Sequence, residues 1–224
     1  MNLLKLYFLF VLLLTANFVL GKVYLKGSIT YLNGDIKTGY LLIPEMPKQK
    51  IIKFKLSRNI SKEEKIQSED IKSVSVESED GNSYVFERIP TAKKPGKKPN
   101  RPCWLLVSTS GYSTLYITAS YYQTDKKGNV SVVIDTRISF DLGFKYFLRK
   151  GNQDIAYRFG TTHLSIVPSY SFNKELIKNS ELFLSDYPEL VERIKNKEFK
   201  HVDIKAIIQI YNDYMKDSKP IQHL

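Results

Sequence analysis

Two periodicities divide this chain, and any fold has to satisfy both. From Lys22 to Pro168 apolar residues recur at every second position in short runs, each ended by a turn sequence or a proline. From Ser171 onward they recur at every third or fourth position. Alternation turns one side of an extended strand toward a core, whereas the longer spacing turns one stripe of a helix there. Strands first and helices last predict an α+β protein, mostly β. Antiparallel meander or barrel-like strands in two blocks are followed by three short C-terminal helices.

The first block spans 22–90. Val23, Leu25, Gly27, Ile29 and Tyr31 share one face of a strand, and Asn33-Gly34-Asp35 supplies the positive φ of a tight hairpin turn. Ile36 to Leu42 returns as a second strand, closed by Pro44, and Ile51–Leu56 is a third. Ser57 to Ser68 is polar and reads as a loop or brief helical turn. Ile71–Ser78 and Tyr84–Ile89 flank the Asp80-Gly81-Asn82 turn. The second block spans 103–168. Its runs are Trp104–Ser108, Ser113–Thr124, Val130–Phe140, Phe144–Arg149, Ile155–Phe159 and Leu164–Val167, with turns at Asp125–Asn129 and Lys150–Gln153.

The helical segment spans 169–217 and should pack on the second block, with 218–224 as a tail. Phe172, Leu176, Ser180, Phe183 and Leu184 mark its first helix. In the second, Asp186 is expected to cap, Pro188 sits in the first turn, and Leu190, Val191 and Ile194 form the buried stripe. Asp203 opens the third, with Val202 placed to staple against Ile207. There Ile204, Ile207, Ile208, Tyr211, Tyr214 and Met215 form the apolar stripe, while Lys205, Gln209, Asn212 and Lys216 fall elsewhere.

Between the β blocks lies 91–102, a basic Pro-rich loop. Pro95, Pro99 and Pro102 disfavour helix and central strand, so this is a solvated connection or long hairpin tip. Lys93, Lys94, Lys97, Lys98 and Arg101 make it the candidate contact for a polyanion. The whole chain carries a formal charge of +11, which fits anionic surfaces such as lipid head groups, acidic glycans or cell-wall polymers. Aromatic interleaving of the kind used for single strands is absent before Trp104, and nucleic acid is not an expected partner.

Residues 1–21 read as a signal peptide: Lys5, then the apolar run Leu6–Leu14, then small residues at Ala16 or at Val19 and Gly21. Thr15 and Asn17 interrupt a run shorter than the roughly 20 apolar residues that a spanning helix needs. The expectation is an exported protein, periplasmic or extracellular, with no transmembrane segment after cleavage. Cys103 stands alone, so the fold is held without an intrachain disulfide, and a buried strand position beside Trp104 accounts for it.

Motifs for chemistry are thin. His163, His201 and His223 have no paired spacing, and no cofactor or metal is expected. Gly111-Tyr112-Ser113-Thr114-Leu115 begins like a nucleophile elbow but lacks the second glycine, so Ser113 reads as a strand start. Glu69, Asp70, Asp135 and Asp141 are the carboxylates an acid–base pair would draw on, with Asp135 read as an outward-facing strand residue. Tyr112, Tyr116, Tyr121, Tyr122, Tyr146 and Tyr157 are assigned to core and sheet packing. The sequons at Asn59 and Asn129 fall in turns.

The segments "DIKTGYL", "EDIKSVSV", "STLYI", "FKYFLRKGN" and "DYPELVERIKNKEFKHVDIKAIIQIYNDY" together give a resemblance. The chain resembles a broad group of uncharacterised exported (periplasmic or cell-envelope) bacterial proteins with a β-rich body and a short C-terminal helical segment. The resemblance implies envelope location and fold, and carries no catalytic residue. The expected function is a non-catalytic binding or structural module of the envelope, its partner an envelope protein or an anionic surface polymer. The alternatives are a hydrolase acting on cell-wall or glycan material, or a polyanion-binding protein using the basic loop.

Overall fold

The computed structural model describes residues 22–135, 143–151, 153–163, 170–200 and 203–218. The expected signal peptide, the Leu164–Val167 run, Asp141, Val202, His201 and His223 lie outside the described residues. The described chain is mostly β, with thirteen strands in two blocks followed by three C-terminal helices. No helix among the described residues is long and apolar enough to cross a membrane.

The first block contributes β1 (Leu25–Tyr31), β2 (Ile36–Leu41), β3 (Ile51–Lys55), β4 (Glu64–Gln67), β5 (Ile71–Glu77) and β6 (Ser83–Ile89). After Pro90 comes β7 (Thr91–Ala92). The second block holds β8 (Cys103–Thr109), β9 (Ser113–Thr118), β10 (Tyr121–Thr124), β11 (Val130–Val133), β12 (Gly143–Lys150) and β13 (Ala156–His163). Eleven strands form one sheet in the order β4-β3-β2-β1-β5-β6-β8-β9-β12-β13-β7, and β10 and β11 pair separately. The ladders are antiparallel, except that β7 runs parallel to β13. The meander forms and the sheet is not closed.

The sheet curls in two opposite senses, with β8 as the shared wall. Trp104 and Leu106 of β8 face a core built with Leu25, Ile29, Leu41, Ile52, Phe54, Val74 and Phe86. That core is covered by Tyr122, Val130 and Val132 of the β10–β11 hairpin. The Trp104 indole is fully buried and its Nε1 donates to Ser68 Oγ (3.2 Å) and to the Gln49 carbonyl (3.3 Å). Tyr122 OH donates to the Trp104 carbonyl at 2.9 Å, which ties the hairpin to the same wall. On the other side of β8, Leu105 joins Ile89, Tyr116, Phe147 and Ala156. Pro90 alone separates β6 from β7, so pairing Thr91 with Ala156 brings β13 back to the end of β6. The second half therefore wraps around this smaller core. Consecutive buried residues Trp104-Leu105-Leu106 are what a strand with core on both faces requires.

Wrapping toward one face leaves the other face of β9, β12 and β13 bare, and the helices cover it. They are α1 (Tyr170–Phe183), α2 (Pro188–Lys195) and α3 (Ile204–Ser218). Leu176, Phe183, Leu184, Leu190, Val191, Ile194, Ile204, Ile207, Ile208, Tyr211 and Met215 pack on Leu115, Leu148 and Phe159. The stripes of α2 and α3 fall where the spacing places them, as do Leu176, Ser180, Phe183 and Leu184 of the first helical run, while the Phe172 side chain lies outside the described part.

Several expectations are corrected. The run Ser113–Thr124 is two strands, because the chain leaves the main sheet at Ala119-Ser120 to start the separate hairpin. The Val130–Phe140 run is a strand only to Val133, and residues 136–140 lie outside the described part. The polar stretch before Ser68 contains β4, a short strand with one buried apolar residue, Ile66, that adds to β3 at the sheet edge. The basic loop is not strand-free, since Thr91 and Ala92 form β7. Asp186 does not cap α2: the cap position is Tyr187 and carries no side-chain cap bond. Asn212 does not lie off the buried surface of α3. It is buried, its Oδ1 accepting from the Ser113 N–H at 2.7 Å and its Nδ2 donating to the Ser113 carbonyl at 2.9 Å.

Candidate functional site

The basic loop has a built shape. Thr91 and Asn100 close its base, with the Asn100 N–H donating to the Thr91 carbonyl at 2.8 Å. At its tip the Lys97 N–H donates to the Lys94 carbonyl at 3.2 Å, and Gly96 takes φ +77°. Proline followed by a residue of positive φ is the chemistry of a type II turn, and only glycine takes that third position without strain. The turn folds the pair Lys93-Lys94 back beside the pair Lys97-Lys98. Repulsion between the four ammonium groups is tolerated because all are exposed and solvated.

Because β7 stops at Ala92, β13 runs on past it, and a groove of about 910 Å³ opens between the loop and α1. Among the described residues its cations are Lys93, Lys94, Lys97 and Lys98 from the loop, Arg158 from β13, and Lys174 and Lys178 from α1, against one carboxylate, Glu175. Lys174 and Lys178 project into it together because residues four apart share one face of a helix. Arg158 donates to Thr161 Oγ1 at 3.2 Å and its guanidinium lies 5.7 Å from the centre of the Phe147 ring. Its Nε is buried with no hydrogen-bond partner among the described residues. Asn179 Nδ2 donates to the Phe159 carbonyl at 2.9 Å, which holds α1 against this strand. Among the described residues Lys93, Lys94, Lys97, Lys98 and Lys178 form no ion pair. Charges of one sign facing each other across a groove raise the local concentration of counter-ions more than the same charges spread over a surface.

Of the five sequence candidates, Lys93, Lys94, Lys97 and Lys98 line the groove, and Arg101 is exposed outside its lining. Arg158, Lys174 and Lys178 were not singled out by sequence. The lysines of α1 carry a weak signal, a four-residue spacing on the polar face. Arg158 carries none, because only the β7–β13 pairing brings it to the loop.

The candidates for chemistry do not gather. Glu69 and Asp70 lie exposed in the 3₁₀ turn Ser68–Asp70. Asp135 is not an outward-facing strand residue: it follows the end of β11, is buried, and its N–H donates to Ser120 Oγ at 2.9 Å. Ser113 starts β9, and His163 ends β13. Cys103 begins β8, half-buried, and burial pushes its thiol up from the ordinary range. Among the described residues no three His, Cys, Asp or Glu side chains are placed to hold a metal ion.

A bonded polar cluster joins sheet and helices. Asp186 accepts from Tyr211 OH at 2.8 and 2.9 Å and from Lys150 Nζ at 3.1 and 3.3 Å. Lys150 also donates to the Phe183 carbonyl at 2.9 Å and lies over the rings of Tyr112 and Tyr211. Burial works against ionising Asp186, but the Tyr211 hydroxyl and the Lys150 ammonium outweigh it and hold the carboxyl below its usual range. Burial and the same carboxylate push the Tyr211 phenol up. Through Lys150, Phe183, Asp186 and Tyr211 the cluster ties α1 and α3 to β12, so it is a clamp.

Comparison with known proteins returns no match, whether to a family model, to a curated protein or to a solved structure.

Proposed function

We propose that this is a non-catalytic binding module whose ligand is an anionic polymer, held in the groove between the basic loop and α1. The observation that carries the reading is the convergence, among the described residues, of seven cations from three separate elements on one groove with a single carboxylate. The loop alone would be a solvated lysine run. The loop, a strand arginine and two helix lysines facing one another make a site with direction and length. The setting we infer is the cell envelope of a bacterium. It rests on the Leu6–Leu14 run with its small-residue cleavage positions and on the resemblance to exported proteins. Acidic glycans and phosphate-bearing wall polymers are the anionic chains of that setting.

The test compares two quadruple variants on immobilised inorganic polyphosphate and on heparin. One replaces Lys93, Lys94, Lys97 and Lys98 by Gln; the other replaces Lys50, Lys62, Lys65 and Lys72, removing the same charge elsewhere. The first is expected to elute at clearly lower salt than the unmodified protein, the second close to it. Equal elution of the two variants would reduce binding to net charge and sink the site. Mass spectrometry of the exported protein, with Lys22 as its first residue, checks the location.

A further inference from the structure

The geometry points to a second binding site, for a single-chain anionic amphiphile, in the cleft where β10 leaves the main sheet. It does not depend on the polyanion reading. β9 ends at Thr118, paired with Lys145, so Gly143 and Phe144 of β12 run on with no β9 residue beside them. The chain turns away at Ala119-Ser120 and enters the separate β10–β11 pair. One sheet continues, the other diverges, and a cavity of about 800 Å³ opens between them. That is within the roughly 300–1,000 Å³ of ordinary small-molecule sites.

The third wall is the segment after β2, and it is fixed rather than loose. The Tyr122 N–H donates to the Glu45 carbonyl at 2.8 Å, and the Glu45 N–H donates to Gln49 Oε1 at 2.8 Å. Val23, Ile43, Met46, Ala119 and Tyr121 give the cleft its apolar lining. Met46 is 55% exposed, a large apolar side chain left in water, and its unbranched thioether adapts to whatever packs on it.

The charges of the rim decide the class of ligand. Among the described residues two carboxylates line the cleft, and both are already bonded. Glu45 is paired with Lys22 at 2.7 Å, and Asp125 accepts from the Lys127 and Asn129 N–H groups within its own turn. Among the described residues three lysines, Lys22, Lys126 and Lys145, line the same opening against these two carboxylates; Lys145 has a partner of its own, and Lys126 forms no ion pair. Apolar walls beneath a cationic rim suit an alkyl chain ending in a carboxylate, sulfate or phosphate. A neutral chain leaves the rim unused, and a polyanion gains nothing from the walls.

The experiment is a fluorescence titration of the purified protein with 11-(dansylamino)undecanoic acid. Saturable binding of one probe per chain, with blue-shifted emission and displacement by laurate, is the expected result. Dodecanol at the same concentration should displace it at least tenfold less well. Ala119→Phe fills the cleft and should weaken binding at least tenfold. Met46→Glu places a carboxylate on an exposed lip, where folding is not at stake, and should do the same. Neutralising Lys93, Lys94, Lys97 and Lys98 should leave this titration unchanged, so the two sites fail separately. Unsaturable binding, or equal affinity in Ala119→Phe and Met46→Glu, would overturn the site. Equal displacement by dodecanol would overturn the anionic class. Displacement by a peptide of residues 6–14 but not by laurate would assign the cleft to the chain's own apolar segment.

Discussion

The two halves of the sheet solve the same burial problem differently. Strands β1 to β6 curl over their own inner face, and a hairpin of four-residue strands completes the cover. Strands β8, β9, β12 and β13 curl the other way around a core of five buried residues, and their convex face then needs three helices. The first half is held by ladders, by apolar contact and by the bonds of Trp104 and Tyr122, which tie its hairpin cover to β8. The second adds directional bonds between helix and sheet: Asn212 to Ser113, and Asp186 to Lys150 and Tyr211. A self-covering curl is brought together mainly by its own alternation and turns. A docked helical layer has to be aimed, and buried hydrogen bonds aim it.

Trp104 tests whether the halves are separable, and Trp104→Ala carries the largest expected effect. Truncating a fully buried aromatic costs about 3–5 kcal/mol, and the change also strips Ser68 Oγ of the donor it accepts from. Because Trp104 and Leu105 are successive residues of one wall, the loss should reach the helices. Urea unfolding by circular dichroism should move as a single transition, and hydrogen exchange should accelerate in α3 as well as in β1 and β5. Unchanged protection of α3 would mean that the halves unfold independently.

Asn212→Leu asks how much the aim of the helices is worth. The substitution keeps the apolar contacts of α3 but leaves the Ser113 N–H and carbonyl buried without that partner, a penalty of about 1–3 kcal/mol. A change below about 0.5 kcal/mol in chemical denaturation would show that the apolar stripe alone docks the layer.

Asp186 gives a smaller effect with a pH signature. Its side chain is 31% exposed, so solvent screening holds the contribution of the ion pair to about 1 kcal/mol or less. Its folded-state carboxyl is held below the unfolded value of about 3.9, so the stabilisation is complete above that pH. It disappears as pH falls through the folded value. Asp186→Asn should lower stability near pH 7 and flatten the acid limb of the stability curve. Parallel acid limbs for the two proteins, measured by thermal melts from pH 2 to 7, would count against this clamp.

What was legible follows the same division. Turn residues and alternation place most strands of the first half, since Asn33-Gly34 and Asp80-Gly81 leave little freedom. The stripes of α2 and α3 are equally plain. Three things were not legible. The break at Ala119-Ser120 hides inside unbroken alternation, because β9 and β10 both alternate while belonging to different sheets. Asp186 before Pro188 has the pattern of a helix cap, yet its carboxylate accepts from Lys150 and Tyr211, distant in sequence, and the cap position falls to Tyr187. The groove likewise needs β7, two residues long, to carry the lysine loop to β13. Half of that site is in the KKPGKK run, and the other half exists only after folding.

The lysine loop closes the series with the smallest effect on the fold. Replacing Lys93, Lys94, Lys97 and Lys98 by Gln changes exposed side chains with no ion pair among the described residues, so stability alone should move by no more than about 0.5 kcal/mol. The difference should emerge with ligand present. A ligand that binds only the folded state stabilises it by about 2.7 kcal/mol at a hundredfold excess over its dissociation constant. Polyphosphate should therefore raise the melting temperature of the unmodified protein at low salt, and that rise should fade as added salt screens the groove. The quadruple variant should melt almost as the unmodified protein does without polyphosphate, and should gain little when it is added. Arg158→Gln, which removes a cation supplied by the strand, should give an intermediate rise. If the loop variant gains as much as the unmodified protein, the polymer is bound elsewhere, and the loop is only a solvated connection that covers the free edge of β13.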